Sequence, residues 1–175
     1  TLSIVCGFVP TFLLSPFAGV WADRYDRKWL IAIADGMIAL VTLLTALLFL
    51  AGKGSIWILL GAQALRSVGA AIQGPAVGAI LPQIVPKESL MRANGINGTI
   101  QSTIMLVSPM LSGALLGLAS IQAIFFIDVA TAALAIAALL GLLKVPPHPR
   151  ALERQKTGYF ADMALGLRYI RLHPY

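Results

Sequence analysis

Hydrophobic residues run along this chain in five long blocks separated by short polar breaks. The blocks cover residues 2–22, 29–51, 56–80, 93–116 and 122–143. A hydrocarbon core of about 30 Å takes roughly 20 apolar residues as α-helix, and each block meets that length. The breaks are the charged knot at residues 23–28, Gly52-Lys53-Gly54-Ser55, the segment 82–92 and the segment 117–121. All are short enough to join antiparallel neighbours. The pattern predicts an all-α, polytopic helical membrane protein whose residues 1–145 form a transmembrane bundle of five helices.

Pro146-Pro147-His148-Pro149 breaks the last block and opens a polar segment, residues 146–175. Within it Phe160, Met163, Leu167 and Ile170 recur at helical spacing beside Arg168 and Arg171. That spacing suggests an amphipathic helix lying on a membrane surface, with a disordered connector as the alternative. At the other end Thr1 leads straight into an apolar block without a basic region or cleavage site. The expectation is that something upstream is missing.

Composition sharpens the picture. The chain is 58% hydrophobic and 11% charged, against about 25% charged in globular proteins, and its mean hydropathy is +0.85. The net charge of +6 is unevenly placed: eleven of the thirteen Lys and Arg residues fall in the knot, in residues 82–92 or beyond residue 143. These segments share one side of the membrane, and the opposite side carries Lys53. By the positive-inside rule the basic side is cytoplasmic, so the charge sets orientation and does not mark a nucleic-acid surface. Cys6 is the single cysteine, and His148 and His173 stand far apart, so neither a metal site nor a disulfide is readable. With no phosphate-binding loop, ATP use and enzymatic chemistry are not expected and no cofactor is implied. Energy would come from an ion gradient.

Gly19-x-x-x-Asp23-Arg24-x-x-Arg27-Lys28 resembles the signature that the major facilitator superfamily carries between its second and third helices. Pro16-Phe17-Ala18-Gly19, Arg66-Ser67-Val68-Gly69-x-Ala71, Ser108-Pro109, Ile127-Asp128 and Gly166-Leu167-Arg168-Tyr169-Ile170-Arg171 are similar to the branch of macrolide and other drug exporters. The resemblance implies a partial N-terminal half of that fold. It would hold the second to sixth helices and the start of the cytoplasmic central loop, with the first helix and the C-terminal half lying outside this sequence. In the family the residue matching Asp23 engages a helix N-terminus of the other half in one conformational state, while the Arg and Lys positions bind carboxylates or lipid phosphates. Asp26 stands where the family often has Gly, and Asp tolerates a left-handed turn better than most residues.

Elementary electrostatics points the same way for the knot. Asp23 falls at the C-terminal, negative end of a helix, where the macrodipole disfavours an acid by about 0.3–1 kcal/mol, so a positive partner is expected. A contact made in one state only would bias a conformational equilibrium. A merely solvated charged turn is the alternative.

Arg66 is the next candidate. It lies ten residues into the third block, about 15 Å deep at 1.5 Å per residue. Arg at mid-membrane costs about 2.5–3.5 kcal/mol on insertion scales, and each Leu, Ile or Val returns only about 0.3–0.6. The span is marginal alone and calls for a carboxylate or an aqueous cavity. Coupling of transport to protons and simple structural pairing are both open for Arg66. Asp128 and Asp35 each lie about 9 Å from the nearer membrane face, neither at Arg66's depth. Asp128 is the better candidate to hold Arg66 or exchange a proton, with helix packing as the alternative, and an acid on the preceding helix is also possible.

The fourth block carries a polar stripe, Asn94, Asn97, Gln101, Ser108 and Ser112, which either lines a cavity or meets another helix. Asn97 and Gln101 join Arg66 and Asp128 as candidate cavity residues. Gly113-x-x-x-Gly117 and Gly74-x-x-x-Gly78 permit close helix contact, and Pro75 and Pro109 permit bends. Ser108-Pro109-Met110-Leu111-Ser112-Gly113 resembles a weakened antiporter element. The expected function is a secondary transporter: a proton-coupled exporter of hydrophobic or amphipathic small molecules such as macrolide-like drugs. It would work in a bacterial inner membrane, with the lipid bilayer, its substrate, protons and the remaining helices of the same protein as partners. The alternatives are a lysophospholipid or siderophore transporter of the same superfamily, or a truncated, non-transporting membrane partner.

Overall fold

The computed structural model describes residues 2–143, apart from the side chain of Asp23. The amphipathic helix expected within residues 146–175 lies outside the described residues. Five helices long and apolar enough to cross a membrane make up the described chain: α1 (Leu2–Arg24), α2 (Arg27–Leu50), α3 (Ile56–Ile84), α4 (Leu90–Leu118) and α5 (Ile121–Leu142). A 3-10 turn, Lys87–Ser89, precedes α4.

Local chemistry explains where each helix begins and ends. Asp26 is the N-cap of α2: its backbone is extended, at φ −62° and ψ 116°, and its carboxylate accepts from the Lys28 N–H at 2.9 Å. This corrects the expectation of a left-handed turn there, because an N-cap residue needs extended backbone to aim its side chain at the helix's free N–H groups. The other end of α2 closes on Gly52, at φ +70°. There the Lys53 N–H donates to Leu48 O and the Gly52 N–H to Phe49 O, the paired bonds of a Schellman cap that a glycine in left-handed conformation allows. Ser55 and Ser120 cap α3 and α5 through their hydroxyls.

Two elements run longer than the apolar blocks. Helix α3 continues past Ile80 through Pro82 to Ile84, and α4 starts at Leu90, taking Arg92 into its first turn. A proline forfeits one backbone hydrogen bond and does not have to end a helix whose remaining turns hold.

Helix α3 packs against α1 on one side and α2 on the other, α2 in turn packs against α5, and α4 touches α3 and α5 only lightly. Small residues make most of the buried contacts, joined by Ile31 and Ile80. Ala18, Ala22, Ala34, Ala46, Ala71 and Ala76 are buried while large apolar side chains such as Phe8, Phe12, Trp57 and Met105 point outward. Lipid is as apolar as Leu, so helices in a membrane gain by close backbone approach. Gly69 marks the tightest crossing, since a Cβ there would lie 2.6 Å from Ile38 Cγ1. The expected packing glycines behave otherwise: Gly74, Gly78, Gly113 and Gly117 all face open space among the described residues.

Candidate functional site

The charged knot is tied into the bundle by backbone carbonyls. Arg27 is buried; its Nε donates to Ala22 O at 3.0 Å and its Nη1 to Ala79 O at 2.7 Å, linking the last turns of α1 to α3. Lys28 Nζ donates to Leu140 O at 2.9 Å and Leu143 O at 2.8 Å, closing the end of α5. Helices α1, α3 and α5 all present their C-termini here, where the macrodipole is negative and cations are favoured. Arg24 is also buried. Gly19 lies in α1 with open space where its Cβ would stand. Asp23 belongs to the last turns of α1, and its side chain is outside the described residues.

Arg66 and Asp128 meet. Arg66 Nη1 lies 2.9 Å from Asp128 Oδ2, and the same nitrogen donates to Thr42 Oγ1 at 2.9 Å. Thr42 is buried; its hydroxyl hydrogen-bonds Ile38 O at 2.9 Å and lies 3.4 Å from Asp128 Oδ2. Helices α2, α3 and α5 thus each supply one member of the cluster. The mismatch in depth expected from rise per residue is closed by side-chain direction. Helices α3 and α5 both start at the end opposite the knot, and Cα–Cβ bonds tilt toward a helix N-terminus, so the long Arg66 side chain reaches back to the level of Asp128. Asp35, the other acid, is taken by a different partner: Gln73 Nε2 donates to its Oδ1 at 2.6 Å.

These contacts form two rungs across an antiparallel pair. Asp35 and Thr42 are seven residues apart on α2, and Gln73 and Arg66 are seven apart on α3, so each rung lies two turns from the other. Gly69 and Ile38 touch between them. Thr42 and Gln73 were not among the residues that the sequence pointed to. The signal available was that heptad spacing of polar residues on two largely apolar helices.

Two clefts open beside Arg66. One, of about 260 Å³, lies between α2, α3 and α5 and is lined by Thr42, Thr45, Leu59, Gln63 and Phe125. The other, of about 530 Å³, lies chiefly between α1 and α3, with Ser3, Thr11, Gln63 and Ser67 on its walls and Ile38 and Ala70 among its lining residues. Arg66 and Gln63 line both. Asn97 and Gln101 do not: both are exposed on α4, which buries no residue among those described. Pro75 and Pro109 sit inside continuous α3 and α4. The ion pair is more than a third exposed on each side, and its Arg66 end lines both clefts.

The family model described as Major Facilitator Superfamily matches residues 1–175. Macrolide efflux protein A of Enterococcus faecalis is 28% identical over 165 residues, covering 94% of this chain and 51% of that protein. Macrolide efflux protein A of Streptococcus pyogenes is 27% identical over 171 residues, covering 98% of this chain and 42% of its own length. Multidrug resistance protein 1 of Bacillus subtilis is 29% identical over 168 residues, covering 91% of this chain and 41% of that protein. The chain therefore spans about half the length of the relatives it matches. A match along the whole chain, on a bundle of five membrane-crossing helices, means that this protein belongs to the Major Facilitator Superfamily.

Proposed function

We propose that this chain is part of a secondary active transporter that exports hydrophobic or amphipathic compounds, macrolide-like drugs among them, in exchange for protons across a bacterial inner membrane. The observation that carries the reading is the Arg66–Asp128 pair, 2.9 Å apart, whose Arg66 lines two clefts. Arg keeps its proton at any physiological pH, so in this reading the carboxylate carries the exchanged proton. A proton on Asp128 removes its charge, weakens the pairing and frees Arg66 and Thr42 to take other partners. A state-dependent pair of this kind lets proton binding bias one conformation over another. The named activities of the macrolide efflux relatives support the substrate class, and clefts that mix apolar residues such as Leu59, Phe125 and Ile38 with polar ones suit an amphipathic compound. In the same reading residues 1–145 are the transmembrane bundle and residues 146–175 the start of a cytoplasmic central loop. The knot of Gly19, Asp23, Arg24, Arg27 and Lys28 acts as a latch between conformations.

The test is transport by the complete protein in proteoliposomes under an imposed proton gradient. Arg66→Ala should abolish concentrative export while leaving downhill flux, and Arg66→Lys should keep partial activity with an altered pH profile. An Arg66→Ala protein with unchanged rate and pH profile would falsify the coupling role.

A further inference from the structure

We propose that Asp35 and Gln73 form a proton-binding site of their own, two helical turns nearer the knot than the Arg66–Asp128 pair. Within the interiors of α2, α3 and α5 the ionisable side chains are Asp35, Arg66 and Asp128, one cation and two acids. Arg66 and Asp128 neutralise each other. Asp35 faces a neutral amide, Gln73 Nε2, at 2.6 Å, and no ion pair joins it among the described residues.

Among the described residues the elements packed on α2 supply no other charge at that level. Helix α3 carries Arg66 alone, about 10 Å along the axis from Gln73, and α5 carries Asp128, already paired. Helix α1 carries Cys6 toward its start and Asp23 and Arg24 at its end. Arg27 and Lys28, at the start of α2 itself, reach toward backbone carbonyls at the knot. A carboxylate without a cation is disfavoured inside a membrane span.

One proton resolves the site. Bound to Oδ2, it removes the charge and lets the acid hydroxyl donate to Gln73 Oε1 while Gln73 Nε2 still donates to Oδ1. A carboxylic acid and a primary amide match each other through two such bonds, and the ionised form keeps one. The proton comes from water and returns to water, with no other bond made or broken. Access is at hand, because Asp35 is only partly buried. The larger cleft reaches Ile38 and Ala70, one turn from Asp35 and Gln73, and the knot begins about 12 Å beyond, at the start of α2. The site therefore stands between cleft and knot, in series with Arg66 and Asp128.

As a station on a transport path this site rests on the proton-coupled reading above; as a proton-binding site it does not, and infrared spectroscopy separates the two. The complete protein, purified into lipid vesicles, is titrated while the carbonyl stretch of protonated carboxylic acids is followed. The expected result is an acid band that is absent from Asp35→Asn, retained in Asp128→Asn and moved to higher frequency in Gln73→Leu, where the acid loses its amide partner. Asp35→Glu, which keeps a carboxyl on the rung, should show the band displaced, and together with Gln73→Leu it carries the test if Asp35→Asn does not fold. An acid spectrum that none of the Asp35 and Gln73 variants alters would overturn the proposal, even with proton-driven transport intact. Coupling that survives unchanged in Arg66→Ala with the Asp35 band in place would instead overturn the transport reading and leave this site standing.

Discussion

Gly69→Ala tests whether the α2–α3 crossing is what holds both polar rungs in register. The new Cβ would lie 2.6 Å from Ile38 Cγ1, 2.9 Å from its Cδ1 and 3.1 Å from Met37 Cε, where ordinary contact begins at 3.4 Å. Ile38 must give way by about 0.8 Å, from 2.6 to 3.4 Å. Met37 can yield, because its Cε is the end of a flexible side chain. Ile38 is β-branched and held near one χ1 rotamer in a helix, so either it leaves that rotamer or the helices part. Overpacking of this kind costs about 1–3 kcal/mol, against which Ala gains about 0.8–1 kcal/mol in helix propensity over Gly. The expected net loss is about 0–2 kcal/mol. Gly113→Ala is the control: among the described residues its Cβ meets nothing within 4 Å, which leaves the propensity gain. Thermal unfolding of the purified protein in detergent, followed by helix circular dichroism, should rank Gly113→Ala at or above wild type and Gly69→Ala below it. Ile38→Ala introduced into Gly69→Ala should recover part of the loss, because it removes the atoms the new methyl strikes. A Gly69→Ala protein as stable as Gly113→Ala would refute the argument that this crossing needs a glycine.

Further outcomes follow from the knot and the topology. Lys28→Met removes both bonds to the last carbonyls of α5, a loss of about 1 kcal/mol given the dipole and hydrogen-bond terms; hydrogen exchange in that last turn should accelerate, and unchanged exchange would show the contact to be idle. In the complete protein Asp23→Asn should slow transport without lowering membrane insertion, and wild-type rates in a well-inserted variant would reduce the knot to a solvated turn. With Cys6 replaced by Ser, a cysteine at Lys53 should react with an impermeant thiol reagent added to intact cells and one at Arg154 should not. The reverse labelling would overturn the proposed orientation.

The number of spanning helices was legible in the sequence because the bilayer's demand is local: about 20 apolar residues in a row, whatever they pack against. Turn chemistry was local too, since Ser55 and Ser120 cap the helices they precede. Arg66 and Asp128 also stood out alone, because a charge in an apolar block is conspicuous without any knowledge of its neighbours. Which faces meet was another matter. A helix apolar all round has no periodic stripe to say which side is buried, so only the tertiary structure brought Thr42 to Arg66 and gave Asp35 to Gln73. The same limit explains the glycines: Gly113-x-x-x-Gly117 has the spacing for close contact yet faces open space, while Gly69, in no such pair, takes Ile38 against its backbone. The polar stripe of Asn97 and Gln101 shows it from the other side, because a stripe says that a face needs a partner and not which one. Spacing along one helix is a property of that helix, whereas register between two helices depends on both surfaces at once.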